Sequence, residues 1–233
     1  MSHNLTGKLS LEDVIEHLIL YCESIDDIGL YYGKSGIALA LYAYSQYTST
    51  SVYQDLACEI LQECLDSISL KTENSFDTGV SGIGWIIWHL HNRGILNINP
   101  DDILVELDTK IMDSDIHRMQ DFSFDSGLRG VSFYVWCRIS SSTNIFFDIR
   151  YLNRWKQFLY EFGGSYDRNI DITDFSLWRP LLGESLVFGK NQELVPSSLY
   201  FPADTILKNQ IMRYPIGIKS GIAGLGLKLM NYL

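Results

Sequence analysis

Apolar positions recur with a helical period in several separate stretches of the chain. Leu11, Val14, Ile15, Leu18 and Ile19 fall at i, i+3, i+4, i+7 and i+8, the stripe of an amphipathic helix. Tyr53, Leu56, Ala57, Ile60, Leu61, Cys64, Leu65 and Ile68 hold the same stripe further along. Tyr151, Leu152, Trp155, Phe158, Leu159 and Phe162 repeat it, and Gly163-Gly164 supplies a C-terminal stop. Asn99-Pro100-Asp101-Asp102 reads as an N-cap, a proline at the first helical position and acids at the positive helix end, with Leu104, Leu107 and Ile111 as its stripe. A fifth helix of this kind is expected from Ala203 to Met212.

Between these helices lie runs that are apolar on every side. Ile37-Ala38-Leu39-Ala40-Leu41-Tyr42, Gly84-Trp85-Ile86-Ile87-Trp88, Val131-Ser132-Phe133-Tyr134-Val135-Trp136 and Gly224-Leu225-Gly226-Leu227 predict buried helices. Each follows a glycine pair: Gly33-Lys34-Ser35-Gly36, Gly79-Val80-Ser81-Gly82, Gly127-Leu128-Arg129-Gly130, and Lys219-Ser220-Gly221 with Ile218 in place of the first glycine. Pro180-Leu181-Leu182-Gly183 reads as a fainter copy. The second glycines recur about every 45 residues, the length of one helical hairpin. An amphipathic helix thus alternates with a buried one about five times. A uniformly apolar inner layer predicts an all-α fold, a closed α/α toroid of about five helical hairpins rather than an open solenoid. The glycines let backbones approach closely at the inner helix starts, and one end of the ring becomes the natural ligand site.

Composition narrows the function classes. The 233 residues are 46% hydrophobic and 20% charged, which excludes a disordered chain and predicts one domain over residues 1–233. No apolar run is long enough to span a membrane. Met1-Ser2-His3-Asn4 lacks the basic and apolar segments of a secretory signal. The four cysteines form no Cys-x-x-Cys pair, so a cytoplasmic protein with reduced thiols is expected. Eighteen basic against 28 acidic residues, a net charge of −10, argue against nucleic acid as a partner.

The candidate chemistry clusters at the inner helix starts. Asp77 and Asp125 hold equivalent places, two residues before a repeat glycine and each after a phenylalanine. They read either as a catalytic acid/base pair across the mouth or as helix caps. Thr78 and Ser126, one residue on, are candidate substrate-binding hydroxyls. Tyr31 and Tyr32 stand at the same level in the first repeat and suit recognition of a peptide or sugar, or packing against the next hairpin. Lys34, Arg129 and Lys219, placed within the glycine loops, would hold an anionic group or pair with Asp77 or Asp125. Asp113, Asp115, His117, Asp121 and Asp125 lack the glycine and closing glutamate of a calcium loop and read as a solvated linker. His89 and His91 lie on different faces of one helix and cannot share a metal. Cys58 and Cys64 read as buried packing thiols, and Cys137 as a thiol on an inner helix.

Tandem Gly-x-x-Gly-[Ile/Val] units opening apolar helices resemble the LanC-like family, the lanthionine synthetase C-like proteins. The resemblance runs from about Leu9 to Leu233 and is densest at Phe76-Asp77-Thr78-Gly79-Val80-Ser81-Gly82-Ile83-Gly84-Trp85. It implies an α/α toroid and, for the founding enzymes, a zinc-dependent cyclase that adds a peptide cysteine across a dehydrated serine or threonine. This chain departs from that pattern. The Trp-Cys-x-Gly and Cys-His-Gly zinc motifs and the family's catalytic histidine are missing. Tyr31-Tyr32, Asp77-Thr78 and Asp125-Ser126 stand where Cys-His would precede the glycine. The expectation is a shortened family member without zinc or another cofactor, which binds or modifies a peptide, or docks a partner protein, in the maturation of ribosomally made peptides. A carbohydrate-active enzyme using Asp77 and Asp125, and a non-catalytic interaction scaffold, are the alternatives.

Overall fold

The computed structural model describes residues 9–141, 147–164, 171–188, 194–199, 211 and 214–232. The chain divides into two compact units, Met1–Lys71 with Phe188–Leu233, and Thr72–Val187. The described residues are helical except for loops and two three-residue strands, Leu186–Phe188 and Leu194–Pro196. No described helix is long and apolar enough to cross a membrane.

In the first unit, α1 (Leu11–Cys22) opens with a capping box. The Ser10 hydroxyl accepts from the Asp13 N–H at 3.1 Å, and the Asp13 carboxylate accepts from the Ser10 N–H at 3.0 Å. It buries Val14, Ile15, Leu18 and Cys22 and leaves Ile19 exposed. Helix α2 (Lys34–Thr48) is buried from Lys34 through Ser45, as an all-round apolar run requires. Helix α3 (Ser51–Asp66) packs along it through Ala57, Ile60, Leu61 and Cys64. Ile68 lies beyond the helix end, and Cys58 is exposed rather than buried. Its Sγ stands 2.9 Å from the Tyr42 hydroxyl.

In the second unit, α4 (Val80–Asn92) is a buried helix. The Asn99 cap and Pro100 start α5 (Pro100–Ile103), which breaks at Leu104 before α6 (Val105–Met112) resumes. Leu104, Leu107 and Ile111 are buried as expected. Helix α7 (Leu128–Ser141) packs on α4, and α8 (Ile149–Gly163) packs on α9 (Phe175–Leu182). Gly164 ends α8 in the left-handed conformation, φ 64°.

The last described helix, α10 (Ile222–Leu229), belongs to the first unit and packs against both α1 and α2. Striped and buried helices alternate as far as α7. Helices α8 and α9 are each buried on one face only, and α10 is again buried, in accord with the all-α reading. The helix expected over Ala203 to Met212 lies outside the described residues except at Ile211.

Two details of the repeat differ from the sequence reading. Gly183 follows α9 instead of opening an inner helix, so Pro180–Gly183 is not a repeat start. The fourth glycine pair is Gly221-Ile222-Ala223-Gly224. Gly221 is the N-cap of α10, and its carbonyl accepts from the Leu225 N–H, just as Gly79 accepts from Ile83 and Gly127 from Val131.

Candidate functional site

The same seven-residue loop precedes four buried helices: Asp27–Gly33, Glu73–Gly79, Asp121–Gly127 and Pro215–Gly221. In each, the first carbonyl accepts from the first N–H of the helix: Lys34 to Asp27 at 2.8 Å, Val80 to Glu73 at 3.0 Å, Leu128 to Asp121 at 2.8 Å and Ile222 to Pro215 at 2.8 Å. These bonds satisfy one otherwise unpaired donor per helix start. The returning carbonyl explains the glycine. A Cβ on Gly79 would stand 2.3 Å from the Glu73 oxygen, and one on Gly127 would stand 2.4 Å from that of Asp121.

The loops fix which residues are equivalent. Tyr31, Asp77, Asp125 and Lys219 share the position two before the glycine, and Tyr32, Thr78, Ser126 and Ser220 share the next. Lys34 and Arg129, by contrast, lie inside the first turns of α2 and α7. Lys219 is therefore the counterpart of the aspartates, not of Lys34.

Within each unit two loops join by the same bond. In the second unit the Asp77 N–H donates to the Asp125 carbonyl at 3.0 Å, and the Phe76 N–H joins it at 2.9 Å. In the first, the Lys219 N–H donates to the Tyr31 carbonyl at 3.1 Å. Asp77 and Asp125 thus lie in adjoining loops with their backbones hydrogen-bonded, whereas the sequence reading set them across the mouth from each other. The preceding phenylalanines anchor them. Phe76 and Phe124 are buried with ring centroids 5.0 Å apart, and both contact Phe133. The aspartates that follow remain half-buried.

Helix α4 does not take the expected carboxylate cap from Asp77. Its Oδ1 accepts from the N–H of Thr78 at 2.7 Å, and α4 has no side-chain cap. Ser75 and Thr78 join hydroxyls at 3.2 Å. In the third loop the polar centre is Asp121. It accepts from the Ser123 N–H at 2.8 Å, the Ser123 hydroxyl at 3.0 Å and the Ser126 hydroxyl at 2.7 Å. Those donors, the Ser123 N–H first, hold its carboxyl below the usual carboxylate range. Asp121, exposed as a solvated linker residue would be, also organises its loop.

In the first unit Tyr31 is fully buried, its ring meeting Tyr32 edge-on at 6.2 Å, while Tyr32 is 42% exposed. The Lys219 ammonium lies 5.2 Å from the Tyr31 ring centre. Lys34 is buried and pairs with Glu63 of α3 at 2.6 Å, not with either aspartate. That hydrogen bond raises its pKa. Arg129 is half-buried, and its Nε is buried without a hydrogen-bond partner among the described residues.

The donor set does not fit zinc, which needs about four nitrogen, sulfur or oxygen ligands converging on one point. Among the described residues, no three His, Cys, Asp or Glu side chains come together in a way that would hold a metal ion. The loop positions carry tyrosine, aspartate, threonine, serine and lysine. Cys22, Cys64 and Cys137 are buried on helices α1, α3 and α7.

One buried polar network escaped the sequence reading. Asp108 is fully buried on α6. It accepts from the Tyr134 hydroxyl at 2.7 Å and from Arg138 Nη2 at 2.8 Å, and Arg138 also reaches Asp101 at 2.9 Å. Burial raises the Asp108 pKa against the pull of Arg138 and Tyr134. The available signal was an aspartate beside Leu107 on the buried stripe and an arginine in an apolar helix.

The chain matches the lanthionine synthetase C-like protein family over residues 24–184. A search of curated proteins returns no match. Among solved structures, one titled nisin cyclase is similar, with 18% identity and a TM-score of 0.46 over 65% of this chain. The matched region covers only 39% of that structure's chain. The family match spans more than half of the sequence and includes three of the four loops. This chain belongs to the lanthionine synthetase C-like family.

Proposed function

We propose that this protein binds a ribosomally made peptide during its maturation, as a peptide-binding or peptide-modifying component that works in the cytoplasm. Family membership supports the substrate class. The observation that carries the reading is the joined pair of loops that sets Asp77-Thr78 beside Asp125-Ser126. Their half-exposed polar side chains suit a peptide backbone, which needs both acceptors and donors. Arg129 Nε, a buried donor with no described partner, would take a carbonyl or carboxylate of the peptide. Asp77 and Asp125 are the groups that would accept or give a proton there. In the first unit, exposed Tyr32 offers an aromatic face and Lys219 a cation to a peptide.

The test is fluorescence anisotropy with labelled cysteine-containing peptides that carry dehydrated serine or threonine. Asp77→Asn/Asp125→Asn and Arg129→Gln are each expected to weaken binding by about tenfold with an unchanged circular dichroism spectrum. Failure of every such peptide to bind, or binding that these variants leave untouched, would overturn the reading. Binding of oligosaccharides instead would favour a carbohydrate-active enzyme.

A further inference from the structure

The second unit carries a groove to which the third loop contributes one lining residue, Phe122. It lies between α8 and the 3-10 turn Ile116–Arg118 with the residues that follow it, and is shallow and open to solvent, with a volume of about 500 Å³. That volume lies within the ordinary range of ligand pockets, roughly 300–1,000 Å³. Ile116 is buried, whereas Phe122 and Phe162 are 41% and 40% exposed. Their rings stack at 6.0 Å with 17° between planes, and Phe158 stacks on Phe162 at 5.9 Å. Large apolar rings at such exposure in a concave site are available to a docking partner.

Charge decides what kind of occupant fits. Glu161 is the carboxylate in the lining, and Asp121 directly precedes Phe122. Arg118, a neighbouring cation, is 87% exposed and reaches Asp115 at 3.3 Å. His117 lies edge-on to Phe158 at 6.0 Å. Glu161 Oε1 accepts from Gln157 Nε2 at 2.8 Å, which leaves acceptor capacity on the carboxylate for a cation. An acidic occupant would meet like charge, and a purely apolar one would make no use of that charge. A lysine or arginine side chain satisfies both features, its alkyl stem on the rings and its cationic head at Glu161.

We infer that this groove is a docking site for a peptide segment in which a basic residue is flanked by apolar ones. The inference deepens the peptide-binding reading and rests on it, but it concerns different side chains, so the two can fail separately. The experiment titrates the full chain with the fluorescein-labelled hexapeptide Gly-Phe-Lys-Leu-Lys-Gly and with its counterpart carrying glutamate for both lysines. The basic peptide is expected to bind at least about tenfold more tightly, with an affinity that falls as salt rises. Glu161→Gln should weaken it several-fold and reduce the salt dependence. Phe162→Ala, at a half-exposed position that leaves the core intact, should weaken it by about tenfold. Val52→Ala, at an exposed position of α3 with no part in either site, should leave it unchanged. Equal binding of the two peptides, no binding of either, or indifference to both groove variants would overturn the inference. If the dehydrated peptides still respond to Asp77→Asn/Asp125→Asn while the groove variants do nothing, this inference alone falls.

Discussion

Gly84 of α4 faces Tyr134 of α7 so closely that a Cβ on the glycine would stand 2.4 Å from Cε2 of the ring. The ring cannot swing aside, because its hydroxyl is held by buried Asp108 at 2.7 Å. Gly84→Ala is therefore expected to destabilise the protein by about 1–3 kcal/mol, despite alanine's better helix propensity. Chemical denaturation checks this. Measured against Tyr134→Phe alone, Gly84→Ala should cost less, since the ring has lost the tether that holds it against residue 84.

The Asp108–Arg138 pair is buried, so removing one partner strands the other. Asp108→Ala should cost about 3–5 kcal/mol. Joint replacement, Asp108→Leu with Arg138→Met, should cost clearly less than the two single changes added together. A double-mutant cycle measures that coupling. Additive costs would show that the two charges do not act as a pair.

His89 is fully buried against Trp85, with ring centroids 4.7 Å apart, and burial, followed by the nearby Arg93 charge, pushes its pKa down from 6.5 to about 3. The unfolded chain therefore binds the extra proton between those pH values. Its contribution to stability is complete above about 6.5 and is lost as pH falls toward about 3. The slope from one such group reaches at most about 1.4 kcal/mol per pH unit. His89→Phe, which keeps a flat ring on Trp85, should flatten that part of the curve measured by denaturation at stepped pH.

Lys34 was a candidate binding residue, yet its ammonium is buried against Glu63, which is 51% exposed. Glu63→Ala would leave a buried cation without its partner and should cost about 1–2 kcal/mol. Lys34→Met leaves only a carboxylate that water can solvate, so it should cost less. Thermal melts of the two variants test the order. If Lys34 serves only the fold, Lys34→Met should also leave peptide affinity unchanged.

The layer plan was readable because it rests on short-range physics. The stripes of α1, α3 and α8, the Asn99 cap and the Gly164 stop are all decided within one or two helical turns. The register of the last repeat was not. Gly221, Gly224 and Gly226 allow two alignments, and only the bond from the Ile222 N–H to the Pro215 carbonyl selects one. That choice moves Lys219 from the helix start to the loop position of the aspartates. The equivalence of Asp77 and Asp125 was legible, but not the backbone bond that joins their loops, which depends on how two separate loops meet. The partner of Lys34 was not legible either, because Glu63 lies on another helix and any of several carboxylates would satisfy a lysine equally well on paper. The network around Asp108 depends likewise on which helices meet.

The packing of α10 on α1 and α2 shapes how the protein reaches its native state. A Cβ on Gly226 would stand 3.2 Å from Val14 Cγ1, so these helices meet closely although the entire second unit's sequence separates them. Contacts this distant along the chain raise contact order and slow folding, because the long intervening loop must close before they reward it. Until α10 docks, the apolar surface of α1 and α2 that it covers stays open to water. The first unit is thus the slower half to complete, and the half most exposed to aggregation along the way.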